Sequence, residues 1–247
     1  MAKTILITGA TSGFGAACAR RFAAAGWKLI LTGRRAARLE QMQEELGEAV
    51  VRTLAFDVRD REAVEQSLAG IDADVLLNNA GLALGLEPAW GVDPEDWETM
   101  VDTNVKGVMY CTLAVLPGMV ARNHGHIVNI SSTAAHWPYP GGNVYGATKA
   151  FVEQFTRNLR ADLLGTRVRA TCLAPGMAET EFSNVRFKGD DTRAGKVYAG
   201  SEPLRAEDIA EIVYFVVTLP GHVNINALEV MSISQSWGHL AVHRKPG

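Results

Sequence analysis

Cysteine is scarce in this chain. Cys18, Cys111 and Cys172 are odd in number, far apart and without a CxxC pair. That excludes a disulfide framework and a thiolate zinc site, and it makes a reducing cytoplasm the expected setting. An excess of one charge is also lacking, since 24 Lys and Arg face 27 Asp and Glu for a net charge of −3. Nucleic acid and anionic membrane surfaces call for concentrated basic residues, so neither is expected as a partner. No stretch comes near the ~20 apolar residues of a bilayer span, and the apolar run at the N-terminus is too short for a signal-peptide core. The six histidines are scattered, with no HExxH and no Cys/His cluster. No metal is therefore expected, and His124-Gly125-His126 reads as a turn entering a strand. Repeats, charge runs, low-complexity tracts and Pro/Ser-rich linkers are absent as well. A single soluble domain spanning 1–247 is expected, long enough to bury a large core.

What the chain does have is a rhythm. Short β-rich apolar runs fall at 4–8, 28–32, 50–56, 74–77, 126–131, 168–173 and 227–231. Most lack apolar/polar alternation, as strands buried on both faces of a parallel sheet do. Between them lie helical patterns at 15–25, 36–46, 61–68, 97–122, 144–164 and 206–219. Sustained strand-helix alternation predicts a three-layer, doubly wound Rossmann-type α/β fold with a seven-stranded, mainly parallel sheet. Ligands in such folds bind beyond the carboxyl ends of the strands.

Directly after the first run stands Thr8-Gly9-Ala10-Thr11-Ser12-Gly13-Phe14-Gly15, opening a helix. Glycines let the backbone turn tightly against a pyrophosphate, whose charge then meets helix amides and the positive dipole end. The spacing is GxxxGxG, and the strand-glycine-helix context favours cofactor binding by Gly9, Thr11, Ser12, Gly13, Phe14 and Gly15 over a simple turn. After the second strand, where an NAD enzyme tends to carry an acid, the chain reads Thr32-Gly33-Arg34-Arg35. Arg34 and Arg35 favour NADP, because a guanidinium clamps the 2′-phosphate that an acid would repel. The bland alternative is two solvated arginines at a helix start. Asp57 and Val58, and Asn79 in Asn78-Asn79-Ala80-Gly81, fit contacts to adenine and its ribose, or ordinary turn chemistry.

Past the strand at 126–131 comes Ser132, and then Tyr145-Gly146-Ala147-Thr148-Lys149. Tyr145 and Lys149 are one helical turn apart on one face. A free tyrosine, with a pKa of about 10, is a poor proton carrier at neutral pH. A nearby ammonium favours the phenolate and lowers that value, which is the role read for Lys149. Ser132 is read as a hydrogen-bond partner of the substrate oxygen.

These pieces together resemble the short-chain dehydrogenase/reductase family. The matching segments are TGATSGFG (8–15), NNAG (78–81), Asn104, Ser132, YGATK (145–149) and PGMAET (175–180), in the family's order and covering nearly the whole chain. The resemblance implies Tyr145 as general acid/base, Lys149 as its activator and ribose ligand, and Ser132 as ligand of the substrate oxygen. It also implies that Asn104 holds a water in a proton relay, that Thr180 binds the nicotinamide carboxamide beside Pro175 and Gly176, and that the chain forms homotetramers. Within the family, WPYPGGNVYGATKAF (137–151), TEFSNVRFKGDD (180–191) and LPGHVNINALEVM (219–231) resemble the branch of NADP-dependent 3-hydroxy acid dehydrogenases. That resemblance implies a small 3-hydroxy acid or semialdehyde as substrate.

Such a substrate carries a carboxylate, and the segment around 182–204 has the composition of a mobile loop or lid that closes over it. Arg186 is the preferred carboxylate ligand there, because its planar fork matches a carboxylate; solubility or cofactor phosphate are the competing roles. Trp137 and Tyr139 either wall the pocket or pack a loop, and Cys172 reads as buried packing. Two rivals stay open. One is a reductase for a carbonyl without a carboxylate; the other is an NADP-sensing protein without turnover.

Overall fold

A computed structural model describes residues 2–238 and Val242. The chain runs β1 (Thr4–Ile7), α1 (Gly13–Ala24), β2 (Lys28–Gly33), α2 (Ala36–Leu46), β3 (Val50–Ala55), α3 (Arg61–Leu68) and β4 (Val75–Asn78). It continues through α4 (Pro94–Val101), α5 (Gly107–Ala121), β5 (Gly125–Ile130), α6 (Asn143–Asp162), β6 (Val168–Pro175) and β7 (Ala178–Glu179). Last come α7 (Phe182–Arg186), α8 (Asp191–Tyr198), β8 (Leu204–Arg205), α9 (Ala206–Thr218) and β9 (Ala227–Val230). Seven strands form one sheet in the order β3-β2-β1-β4-β5-β6-β9, and every pairing is parallel.

The doubly buried strands explain the missing alternation. Along β1, Ile5 and Ile7 join a core with α1, α2 and α9, while Leu6 points to the other side, toward α3, α5 and α6. All three are fully buried. Strand order reverses between β1 and β4, so the loops after these strands part and leave a crevice above the sheet. Apart from Asn104 and those on α6 and α7, the predicted site residues lie on or near a strand's carboxyl end, at the rim of that crevice.

Three expectations need amending. The helix expected at 97–122 starts earlier and is interrupted. Between α4 and α5 the stretch Asp102–Lys106 widens, so that the Gly107 amide reaches the Asp102 carbonyl, five residues back. Pro94–Ala121 runs for 28 residues and holds an 18-residue stretch with a mean hydropathy of 1.2, long and apolar enough for a membrane span. A core helix of a parallel sheet passes the same test, and here Cys111, Val115 and Met119 pack into the core beneath the sheet. Finally, the segment around 182–204 is no irregular loop: it folds into α7 and α8, and β8 pairs with β7.

Candidate active site

The glycine loop follows from local demands on the backbone. Gly9 has φ +66° and Gly13 φ +51°, a region costly for residues with a side chain. At Gly15 a Cβ would lie 2.3 Å from the Gly9 carbonyl oxygen, so the loop folds back on the helix start only without one. Ser12 stands at the N-cap without a side-chain capping bond, and the first turn of α1 carries no acid. Its amides and dipole end are left for an external anion.

Asn79 supports this loop. Its Nδ2 donates to the carbonyls of Thr8 (2.9 Å) and Gly9 (3.1 Å), so both amide protons are committed to the loop. Only its Oδ1 remains to meet the ribose expected from the sequence. Arg35 folds over the same loop. Its Nη2 donates to the hydroxyls of Thr11 (2.8 Å) and Ser12 (3.0 Å), and its Nη1 lies 3.3 Å from Glu181. Arg34 stays half-exposed, 3.7 Å from Asp57, whose carboxyl is held low by Arg59 against the opposing effect of burial.

A cleft of about 350 Å³ runs from Arg34, Arg35, Asp57 and Val58 past Gly9, Thr11, Ser12, Gly13, Phe14 and Asn79. It continues to Tyr145, Lys149, Pro175, Gly176, Thr180 and Arg186. A charged end, an uncapped helix start in the middle and a titratable pair at the far end fit a dinucleotide phosphate. Gly15 lies beneath the loop and acts through backbone packing.

At the inner end stand the catalytic candidates. β5 delivers Ser132, whose Oγ accepts from the Ala134 amide (3.2 Å) and so keeps its own proton free. Tyr145 and Lys149 rise from the first turns of α6, both buried. The Lys149 Nζ donates to the Ile130 carbonyl at 2.9 Å. Burial pulls its ammonium down to about 8. Tyr145 is pushed up to about 12 by burial, opposed first by the Arg186 charge and then by the Ser132 hydroxyl.

Lys149 stands near the phenol. Its Nζ is 5.9 Å from the Tyr145 ring centre, and without a bound cation it does not bring the phenol toward neutrality. Asn104 is fully engaged through its side chain. Its Nδ2 donates to the Leu82 carbonyl (2.8 Å) and the Thr148 hydroxyl (3.1 Å), and its Oδ1 accepts from the Leu82 amide (2.9 Å). Both amide protons are used in tying the widened helix turn to α6 and to the loop after β4. Wide helix turns recur at functional sites, and this one sets Asn104 inward.

Arg186 does reach the site. Its guanidinium carbon lies 5.2 Å from the Tyr145 ring centre and 5.1 Å from that of Phe182. Nη2 donates to the Tyr139 hydroxyl (3.3 Å), while the buried Nε has no hydrogen-bond partner. Tyr139 packs against the cluster around Tyr145 and does not line the cleft itself, whereas Trp137 turns away and donates to Glu229 at 3.2 Å. Cys172 is buried packing as expected. Sequence reading missed Phe182, whose ring centre is 5.6 Å from that of Tyr145, and Ser183, bonded to the Tyr198 hydroxyl at 2.6 Å. Both belong to the short lid helices, which are too brief to show a period.

The short chain dehydrogenase family model matches residues 3–191. The chain belongs to that family. It is 60% identical to an NADP-dependent 3-hydroxy acid dehydrogenase of Salmonella typhi over 246 residues, covering 97% of this chain and 99% of the relative. A sulfoacetaldehyde reductase of Chromohalobacter salexigens is 54% identical, covering 99% of this chain and 100% of the relative. Among solved structures, the closed form of a serine dehydrogenase complexed with NADP+ superposes with a TM-score of 0.93 at 57% identity, covering 98% of this chain and all of that one. The chain is thus a short-chain oxidoreductase.

Two outcomes follow from the geometry. Replacing Arg34 and Arg35 together with Ala should weaken NADP by about 10- to 100-fold, the scale of a lost charge-assisted bond, and NAD far less. Fluorescence titration with both cofactors checks this, and equal weakening would remove the arginines from discrimination. Lys149→Met removes a buried charge, so kcat should drop by ~10² or more while the melting temperature holds or rises. A folded pKa of about 8 against 10.5 in the unfolded chain makes the ammonium a folding penalty, complete below pH 8 and relieved toward 10.5. The stability advantage of the variant should shrink across that window in melting curves, and a widening gap would contradict it.

Proposed function

We propose that this enzyme uses NADP to oxidise a small 3-hydroxy acid, or to reduce the matching semialdehyde, with Arg186 holding the acid group. The observation that carries the proposal is the half-buried Arg186 beside the Tyr145 ring, whose buried Nε has no hydrogen-bond partner. A buried donor without a partner is costly, so the site is built to receive an acceptor there. An acid group a short distance from the reacting carbon supplies one, and the names of the relatives describe substrates of that kind.

NADP, when bound, supplies or takes up the hydride. The chain does the rest. Ser132 donates its free proton to the substrate oxygen and orients it. Tyr145 takes the hydroxyl proton during oxidation and returns it during reduction. Lys149 sits one turn away, with its ammonium aimed at the Ile130 carbonyl, and favours the phenolate together with the positive nicotinamide. Burial of both residues excludes water and strengthens these interactions. Arg34 and Arg35 would hold the 2′-phosphate, and the amides of Gly13 and Phe14 would meet the pyrophosphate. Thr180, beside the glycine loop, holds the carboxamide.

The helices α7 and α8 form the lid over 182–204. The wider reading is a cytoplasmic homotetramer. Three buried free thiols support the compartment. The outer faces of α5 and α6 support the assembly, with Leu113 at 65% and Val120 at 42% exposure and Phe151 stacked on Phe155. A carbonyl substrate without an acid would leave Arg186 unmatched, and a non-catalytic sensor would have no use for the Ser132, Tyr145 and Lys149 set.

The test compares NADP reduction with 3-hydroxy acids, the corresponding hydroxy sulfonates, methyl esters and simple alcohols. Arg186→Ala should lower kcat/KM for the acid by about 10- to 100-fold, or roughly 1.5–3 kcal/mol, and change the ester little. Parallel losses for acid and ester would refute acid anchoring at Arg186. A wild-type preference for the ester would refute the substrate class.

A further inference from the structure

The loop after Ser132 ends in a cluster of charges that no catalytic step uses. Immediately beyond the short turn Thr133–Ala135, the His136 ring lies between two carboxylates. Its Nε2 is 2.5 Å from Glu153 Oε2 and its Nδ1 is 3.0 Å from Glu229 Oε2. Glu229 lies on β9 and takes a second bond, from the Trp137 indole, through its other oxygen. Glu153 is 6% exposed and sits on α6, one turn past Lys149 and two past Tyr145, on the same face. Its other oxygen pairs with Arg157.

We propose that His136 is a positioning residue whose doubly protonated ring clamps the Ser132 loop to the helix bearing Tyr145 and Lys149 and to the edge strand β9. The protonation state follows from the partners. Ionised carboxylates only accept, so each ring nitrogen must donate, and only the imidazolium donates from both. With Arg157 the cluster then balances, two positive charges against two negative. Loss of the ring proton sets a nitrogen lone pair against a carboxylate oxygen and leaves a buried acid with one cation fewer. The loop between Ser132 and Tyr145 then loses its fastening, and misplacement by a fraction of an ångström lowers the rate without lowering cofactor affinity. No member of the cluster lines the cofactor cleft.

The titratable groups around the ring are Glu153, with Arg157 behind it on α6, and Glu229 from β9. Cys172 of β6 faces the far side of Glu153, and burial pushes its thiol up to about 11. It stays neutral below pH 9. Tyr145 and Lys149 titrate in wild type and variant alike, so their effects cancel in a ratio of rates.

The experiment measures kcat and the NADP dissociation constant for wild type and His136→Gln between pH 6 and 9. Gln keeps one donor and no charge. The kcat ratio of wild type to variant should be about tenfold at pH 6 and approach one by pH 9, with the dissociation constant unchanged. A purely steric role for the ring would give a ratio that does not vary with pH, and that result overturns the proposal. A ratio of one throughout, or a matching change in NADP affinity, overturns it too. Glu229→Gln, at the more exposed end of the clamp, serves if the first variant fails to fold. It should show a smaller loss at pH 6 and the same convergence, and a pH-independent loss would again refute the clamp.

Discussion

A lysine and a tyrosine buried one helical turn apart set the terms for the whole molecule. Taking an ammonium out of water disfavours its charge, and taking a phenol out of water disfavours ionisation. The free enzyme accordingly holds Lys149 down to about 8 and Tyr145 up to about 12. Neither value suits proton transfer at neutral pH. On the proposed reading, the positive nicotinamide of bound NADP+ would complete the pair. Catalysis and cofactor binding are therefore the same electrostatic event, and stability is given up in preparing for it.

The fold exists to hold that pair against a phosphate-binding loop. A parallel sheet buried on both faces keeps the glycine loop and Ser132 fixed at the ends of β1 and β5, which flank β4. The widened turn at Asp102–Lys106 points Asn104 at Leu82 and Thr148, which joins the loop after β4 to the catalytic helix. On the other flank, His136, Glu153 and Glu229 join the Ser132 loop to α6 and β9. The nucleophilic-looking cysteines take no part. Above the pocket, α7 brings Phe182 and Arg186 over Tyr145, so the guanidinium proposed to hold the acid lies close to the phenol proposed to move the proton.

Much of this was legible in the sequence because the signals are local. Continuous apolar runs announced doubly buried strands, and the seven of them form the sheet with bounds within a residue or two. Glycines at positive φ announced the phosphate loop, and i, i+4 spacing put Tyr145 and Lys149 on one face. What the sequence hid depends on contacts between distant segments. No period marks helices as short as α7, so Phe182 and Ser183 went unseen as pocket residues. The widened turn has no compositional signature, and a 28-residue apolar core helix cannot be told from a span until its packing partners are known. The i, i+4 spacing of Lys149 shows where its charge lies but not how deeply it is buried. The His136 cluster joins residues 136, 153 and 229, a relation that only folding creates.

The central claim is that the phenol of Tyr145 is kept neutral by burial until a cationic cofactor arrives. Ultraviolet difference titration of phenolate absorbance, with Tyr145→Phe as the reference, isolates this one side chain. In the absence of cofactor the Tyr145 contribution should appear only near pH 12, and with NADP+ bound it should move down by units toward the working range. A phenolate that forms at the same pH with and without NADP+, or one already present near neutrality in the free enzyme, would contradict the account.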